Sequence, residues 1–305
     1  MNEQSKKLVA NLLLILTTIL WGTSFIITKN LTEDMPIFLY LGIRFSVAII
    51  AFVPFLINFK RFSKKLIVFA VLTGVIYYFV IVFQTLGIQT TTAGKAAFIT
   101  GLGTIMVPFI TWFAFKKALK KRIWLAVFIS IVGMALLLLE GESGIIIGDL
   151  LVLVCAFFYA LFIVLNDKYV RIFDVYLYSL VQLITISLLS FVGSLFLNEN
   201  YDLFSNGLSF WLVIIYMGLI VASGTFIFQN WSQKHQDPSQ TAIIFTLEPV
   251  FAVIFASFIL GNESMSIFGW IGCLLIFSAI LITVLKNSKE NNIEDRLDDQ
   301  QNSHL

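Results

Sequence analysis

A chain of 305 residues that is 59% hydrophobic and only 12% charged, with a mean hydropathy of +0.93, is not a soluble domain, which carries about 25% charge. Its net charge of +2 says little, because the placement of the charges matters more than their sum. Both cysteines, Cys155 and Cys273, fall inside apolar runs, and both histidines, His235 and His304, sit in polar segments. No disulfide framework, metal site or cofactor is therefore expected.

In chain order, Lys6 and Lys7 precede a run from Leu8 to Ile27 that is too long for a signal-peptide core and ends without a small-x-small cleavage site. It reads as a retained first span. Hydropathy then places nine more, giving ten at 8–27, 36–58, 66–86, 94–115, 122–139, 149–166, 175–197, 208–229, 239–260 and 267–285. The expected fold is an all-α membrane protein with short connections. The polar, acidic stretch 287–305 reads as a disordered cytoplasmic tail.

Basic residues are enriched on the cytoplasmic side of membrane proteins, which tests this partition. With the N-terminus inside, 17 of the 20 lysines and arginines fall in inner segments. Lys29 and Lys95 fall outside, and Arg44 lies within the second span. Both termini are thus expected in the cytoplasm, with the protein in the cytoplasmic membrane.

Ten spans divide into five and five, 1–140 and 141–286. An odd number per half makes the halves enter the bilayer from opposite sides, an inverted repeat if they share a fold. Trp21 to Phe25 takes the place of Tyr159 to Ile163, Phe83-Gln84 recurs as Phe228-Gln229, and Arg44 corresponds to Gln182.

The ninth span carries a carboxylate, Glu248, followed by Pro249. Glu248 lies about 10 Å from the nearer end of its span, where an ionisable group costs at least a few kcal/mol unless it finds a partner or water. Proline removes a backbone donor and breaks the helix there. Glu248 is a candidate proton site or counter-charge for a cationic substrate group; as a packing device it would bond neighbouring helices. Arg44 is the other deeply placed charge. Direct pairing of Arg44 with Glu248 is the favoured reading, and bidentate binding of a substrate carboxylate the alternative. Thr100, Gly101, Gly103 and Pro108 make the fourth span a poor helix. Interruptions in the fourth and ninth spans would mark a midplane site, although small residues also serve close packing. Lys95, at the outer end of the fourth span, reads as snorkelling to the surface rather than gating. Tyr77 and Gln84 share a face of the third span. Trp21, Ser24, Phe98, Tyr159, Gln182 and Gln229 complete the candidate wall, whose aromatics, amides and hydroxyls suit a small amphipathic ligand.

The stretches ILWGTSFIITK, TTAGKAAFITGLGTIMVP, GDLLVLVCAFFYALFIV and FQNWSQKHQDPSQTAIIFTLEPVFAVIFASFILGNE, in that order and spacing, resemble the EamA-type, ten-helix branch of the drug/metabolite transporter superfamily. The resemblance runs from about Leu8 to Leu285. It implies two inverted five-helix repeats, alternating access, and export or exchange of small metabolites. One departure is visible: where the first half of such proteins often carries a Gly-Glu pair, as Gly261 and Glu263 roughly do in the second, this chain reads KKALKKR.

The expected function is a secondary transporter, an exporter of small metabolites such as amino acids or amphipathic drugs. Its partners would be a small-molecule substrate, the lipid bilayer and, as a candidate coupling ion, the proton; no nucleic acid is expected, and monomer and homodimer are both left open. The alternatives are an uncoupled facilitator and an integral-membrane enzyme acting on lipid-linked substrates. The spans hold no histidine, no carboxylate pair at catalytic spacing and no phosphate-cradling loop, which argues against an enzyme.

Overall fold

The computed structural model describes residues 2–55, 61–116, 121–138, 146–260, 267–268, 270–272, 274–279 and 282. The expected tail 287–305, Cys273 and the Gly261 and Glu263 pair lie outside them. The described residues form helices and connections, with no β-strand among them.

Polar side chains set the helix starts by accepting bonds from backbone N–H groups that a first turn leaves unpaired. α1 (Glu3–Asp34) begins at Asn2, whose Oδ1 accepts from Ser5 N at 2.7 Å. α2 spans Ile37–Ile50, and the Glu199 carboxylate, reaching in from beyond a later helix, accepts from Phe38 N and Leu39 N at 3.3 and 2.8 Å. α3 (Lys64–Ile88) starts at Ser63 and α4 (Ala93–Phe115) at Thr92, each accepting from the backbone three residues on. α5 (Lys121–Leu138), α6 (Ile147–Val170) and α7 (Val175–Phe196) follow, the last capped by Asp174. α8 (Leu208–Ile215) passes through a π-helical segment, Tyr216–Ala222, into α9 (Ser223–His235). α10 (Pro238–Phe245) and α11 (Glu248–Leu260) complete the well-described bundle.

Seven helical runs among the described residues are long and apolar enough to cross a bilayer: α1, α3, most of α4, α6, α7, the α8–π–α9 run, and Pro238–Phe255. The second expected span is shorter than hydropathy implied. α2 gives way after Ile50 to i to i+3 turns, since Pro54 has no N–H to donate to the Ile50 carbonyl. The interruption expected in the fourth span is absent, since α4 runs unbroken through Pro108. Proline deletes one bond, and close packing holds the rest: a Cβ on Gly103 would stand 2.4 Å from the carbonyl oxygen of Ala156 in α6. The ninth span does break, at Thr246 and Leu247, between α10 and α11.

α6 packs between α3 and α4, while α1 packs against α9, α10 and α11. α2 lies along α7 and the π segment, and α4 meets α10 and α11. One large apolar core runs through these contacts, with Leu14, Tyr40, Phe45, Phe162 and Phe245 almost fully buried.

Two sets of polar contacts close the bundle. At the amino-terminal end, where α1 begins and α6 and α9 finish, amides join four helices. Asn166 Nδ2 donates to Asn230 Oδ1 at 2.7 Å and Gln233 Oε1 at 2.5 Å. Gln182 Nε2 donates to Asn166 Oδ1 and Thr73 Oγ1, both at 2.9 Å, and Asn230 Nδ2 to Ser179 Oγ and Gln182 Oε1. Gln236 donates to Asn11 at 2.7 Å. At the far end, where α1 finishes and α6 begins, Lys95 Nζ meets Asp149 Oδ2 at 2.7 Å. Thr91 Oγ1 donates to Asp149 Oδ1, and Lys29 Nζ to the Thr91 carbonyl. Lys95 thus pairs with a buried carboxylate rather than snorkelling outward.

Candidate functional site

Between the two closures lies a cavity lined by Trp21 and Ser24 of α1, Arg44 of α2, Tyr77, Val80, Ile81 and Gln84 of α3, Thr100 of α4, Tyr159 of α6 and Glu248 of α11. Its volume is about 20 Å3, counted as the space that water centres can occupy. That is room for water rather than for a metabolite, since ligand pockets run to about 300–1,000 Å3. Helices or side chains must move before a larger solute fits.

Local sequence explains how each group arrives. Residues 77, 80, 81 and 84 fall at helical spacing, so a single face of α3 supplies the tyrosine, two aliphatic side chains and the amide. Gln84 Nε2 donates to Thr100 Oγ1 at 3.3 Å, tying that face to α4. Trp21 and Tyr159 meet edge-to-face with ring centroids 5.9 Å apart, and Phe245 packs against both at 4.9 and 6.2 Å. Tyr77 is wedged between Phe162 and Phe226, at 4.8 and 4.9 Å.

Arg44 is 4% exposed. Its NH1 reaches Tyr40 OH at 3.5 Å, and that hydroxyl shares a 3.0 Å bond with Thr28. The guanidinium also stands 5.6 Å from the ring centroid of Phe45. The π segment packs closely on α2. Gly218 lies so near that a Cβ there would be 2.5 Å from Val47 Cγ1 and 2.9 Å from the Arg44 carbonyl. π turns often occur at functional sites, and this one stands beside the cavity's cation.

Glu248 is 3% exposed and is the first residue of α11. The free N–H groups of that helix start favour a carboxylate beside them. Pro249 follows in the first turn, where its missing N–H costs least. The direct ion pair expected between Arg44 and Glu248 does not form. They line the same cavity, yet Arg44 Nε, Glu248 Oε2 and Tyr159 OH have no hydrogen-bond partner among the described residues. Arg44 NH1 turns instead to Tyr40 of its own helix at 3.5 Å, while Glu248 stands at the start of α11.

Three expected wall residues are elsewhere. Phe98 is core packing on α4, and Gln182 is bound into the amide network. Gln229 is buried on α9, away from the cavity, with its Nε2 unpartnered. Gly101 and Gly103 lie within the unbroken α4. Val80 and Ile81 were not anticipated as lining, although the spacing from Tyr77 to Gln84 already places them on that face. Among the described residues no group of histidine, cysteine and carboxylates could hold a metal ion.

Two stretches of the chain, residues 8–139 and 146–285, match the EamA-like transporter family. An uncharacterized transporter of Archaeoglobus fulgidus is 31% identical over 286 residues, covering 93% of this chain and 88% of that protein. The uncharacterized transporter YetK of Bacillus subtilis is 24% identical, covering 88% of this chain and 84% of its own length. A solved crystal structure superposes with a TM-score of 0.73 at 18% identity, over 90% of this chain and 96% of its own, which is a likeness of fold. The helical runs and these relatives together make the protein a multi-pass membrane transporter. The chain belongs to the EamA-like transporter family.

Proposed function

We propose that the protein is a secondary transporter that exports small metabolites, amino acids or amphipathic drugs among them, across the cytoplasmic membrane by alternating access. Its working parts are two inverted five-helix repeats, 1–140 and 141–286, with both termini in the cytoplasm. The observation that carries the reading is a cavity between two sets of interhelical contacts, lined by a buried arginine and a buried glutamate that each keep a polar atom without a hydrogen-bond partner among the described residues.

Internal correspondences support the repeat. The register that lays Trp21 on Tyr159 also lays Asn11 on Asp149 and Tyr40 on Tyr178; the register that lays Gln84 on Gln229 lays Thr91 on Gln236. The Thr91–Asp149 bond thus has its counterpart in Gln236–Asn11. Likewise the Thr91 carbonyl accepts from Lys29 and the Gln236 carbonyl from Arg171. The α3–α6 packing is mirrored by α9 on α1, and that of α4 on α6 by α10 and α11 on α1. The orientation is supported by Lys6, Lys7, Arg61, Lys64, Lys65, Lys168, Arg171 and Lys234, which gather at the amino-terminal end, against Lys29 and Lys95 at the other.

Reconstituted into liposomes, the full chain is expected to show saturable solute uptake and counterflow. Chemical conversion of the solute, or no movement of any solute across a broad panel, would overturn the reading. Tags placed at either terminus should be reached only from the cytoplasmic side.

A further inference from the structure

We propose that Ile220 is a one-residue insertion whose π turn positions Arg44 in the cavity; this rests on the two-repeat transport reading above and deepens it. α3 starts at Lys64 and α8 at Leu208, 144 residues on. α4 starts at Ala93 and α10 at Pro238, 145 residues on, the spacing that also lays Gln84 on Gln229. The second half therefore holds one residue more than the first between these points. Burial locates it. At the first spacing Ala70, Thr73 and Gly74 match Ile214, Met217 and Gly218, all buried. At the second, Ile76, Val80 and Ile81 match Val221, Thr225 and Phe226, again all buried. Val75 and Leu219 are both half-buried. Ile220 falls between the two sets, is 50% exposed, and has no counterpart. A helix absorbs an extra residue by widening one turn. Here Ser223 N donates to the Gly218 carbonyl, five residues back, and Ser223 Oγ to the Leu219 carbonyl.

The widened turn changes how the matching helices sit. α3 packs on α7, and the π segment packs on α2, the equivalent of α7 in the first half. The contacts fall on matching residues, Gly74 against Gln182 and Thr185, Gly218 against Arg44 and Val47. The regular helix makes the looser fit. A Cβ on Gly74 would stand 3.0 Å from Thr185 Cβ and 3.2 Å from the Gln182 carbonyl oxygen. One on Gly218 would stand 2.5 Å from Val47 Cγ1 and 2.9 Å from the Arg44 carbonyl oxygen. Tyr216 of the π segment shares its 3.0 Å bond with Thr23 of α1, whereas its counterpart Leu72 is 43% exposed. The π segment thus grips two helices of the cavity wall, α2 at the arginine's own backbone and α1 beside Ser24. The side chains end differently as well. Gln182 is engaged by Thr73, Asn166 and Asn230, while Arg44 lines the cavity with Nε lacking a partner among the described residues. Ile220 and Gly218 are positioning residues: one supplies the extra length, the other the close approach. Since the Ile220 side chain is half exposed, its presence in the chain matters more than its chemistry.

The test removes Ile220 from the full-length protein, which should return the segment to a regular helix, and compares Ile220→Ala, which should keep the π turn. The deletion is expected to fold, because α3 meets the same packing without the extra residue. Deletion of Val75, where α3 has no residue to spare, should abolish folding. In hydrogen exchange, removing Ile220 should speed the amides of Tyr40–Ala48 about tenfold and leave those of Tyr178–Ile186 at the wild-type rate. In counterflow of any panel solute that the wild type moves, the same deletion should lower kcat/KM about tenfold or more, the scale of a 1 Å misplacement. The loss should fall chiefly in KM, as for a displaced binding group. Ile220→Ala should stay within about twofold of wild type in both measurements. A deletion that unfolds as readily as that of Val75 overturns the insertion. Wild-type exchange in α2 after the deletion overturns the seat, and faster exchange with unchanged counterflow overturns the positioning of Arg44. Loss of both readouts in Ile220→Ala assigns the effect to the side chain and also overturns the proposal. A wild type that moves no solute defeats the transport reading, and exchange in α2 then decides the seat alone.

Discussion

The two ends of the bundle occupy equivalent places in the internal register but are closed by different chemistry. At the amino-terminal end, Asn166, Gln182, Asn230 and Gln233 exchange amide hydrogen bonds across α6, α7 and α9, with Thr73 joining from α3. Ser232 there donates to the Ala10 carbonyl at 3.1 Å. The register places Gly87 and Gly148 at the positions of Ser232 and Ala10, and these glycines bring α3 and α6 into backbone contact at the far end. A Cβ on Gly148 would stand 2.6 Å from the Gly87 carbonyl. Above that contact Asp149 pairs with Lys95 and accepts from Thr91, whose carbonyl accepts from Lys29. One end is a mesh in which each of these four amides has at least two hydrogen-bond partners, so parting it breaks several bonds together. The other is a short steric contact beneath polar bonds gathered on one carboxylate, Asp149, and its neighbour Thr91. A repeated scaffold therefore need not open with equal ease in both directions.

Four experiments sharpen or break this contrast. The largest effect is expected for Asn166→Leu, which orphans partners on Gln182, Asn230 and Gln233 and should cost about 3 kcal/mol in a detergent unfolding titration. A loss no greater than that of a single surface bond would show that the mesh does not hold its end. Gly148→Val should cost about 2 kcal/mol, because its Cβ meets backbone that cannot yield; Ala10→Val, at the equivalent place, should cost less. Lys95→Gln leaves Asp149 charged and half-compensated, for a loss of about 1 kcal/mol that adding Asp149→Asn partly restores. That double variant gives the far end the residues found at Gln240 and Asn11, and its thermal stability should respond less to salt than the wild type's. Least costly is Thr23→Val, which removes one 3.0 Å interhelical bond to Tyr216 and the bond back to the Leu20 carbonyl of its own helix, about 0.6 kcal/mol for the interhelical bond.

Much of the cavity could be read from the sequence because ionisable groups are rare in apolar runs: Arg44 and Glu248 announce themselves. Tyr77 and Gln84 follow from helical spacing, and the same spacing contains Val80 and Ile81, which were missed because aliphatic side chains carry no signal in so apolar a chain. Gln182 shows where the reasoning failed. Its equivalence to Arg44 is a statement about backbone, whereas its side chain is claimed by Asn166, Thr73 and Asn230, none of them visible as its neighbours in one dimension. The places of the long apolar helices were legible, whereas the length of the second span and the helix quality of the fourth were not. Pro108 sits within a continuous helix because packing on α6 outweighs propensity, while the π segment at Gly218 leaves no mark in hydropathy.

The joint between α10 and α11 has a mechanical consequence. From Ile243 to Leu247 the chain is held by short i to i+3 bonds, and Pro249 offers no donor to restore the ladder. A swing of α11 relative to α10 would bend the chain at the residue that bears the carboxylate. The buried carboxylate and the elbow are then the same few atoms, so a group that came to pair with Glu248 would act on the pivot with no lever in between.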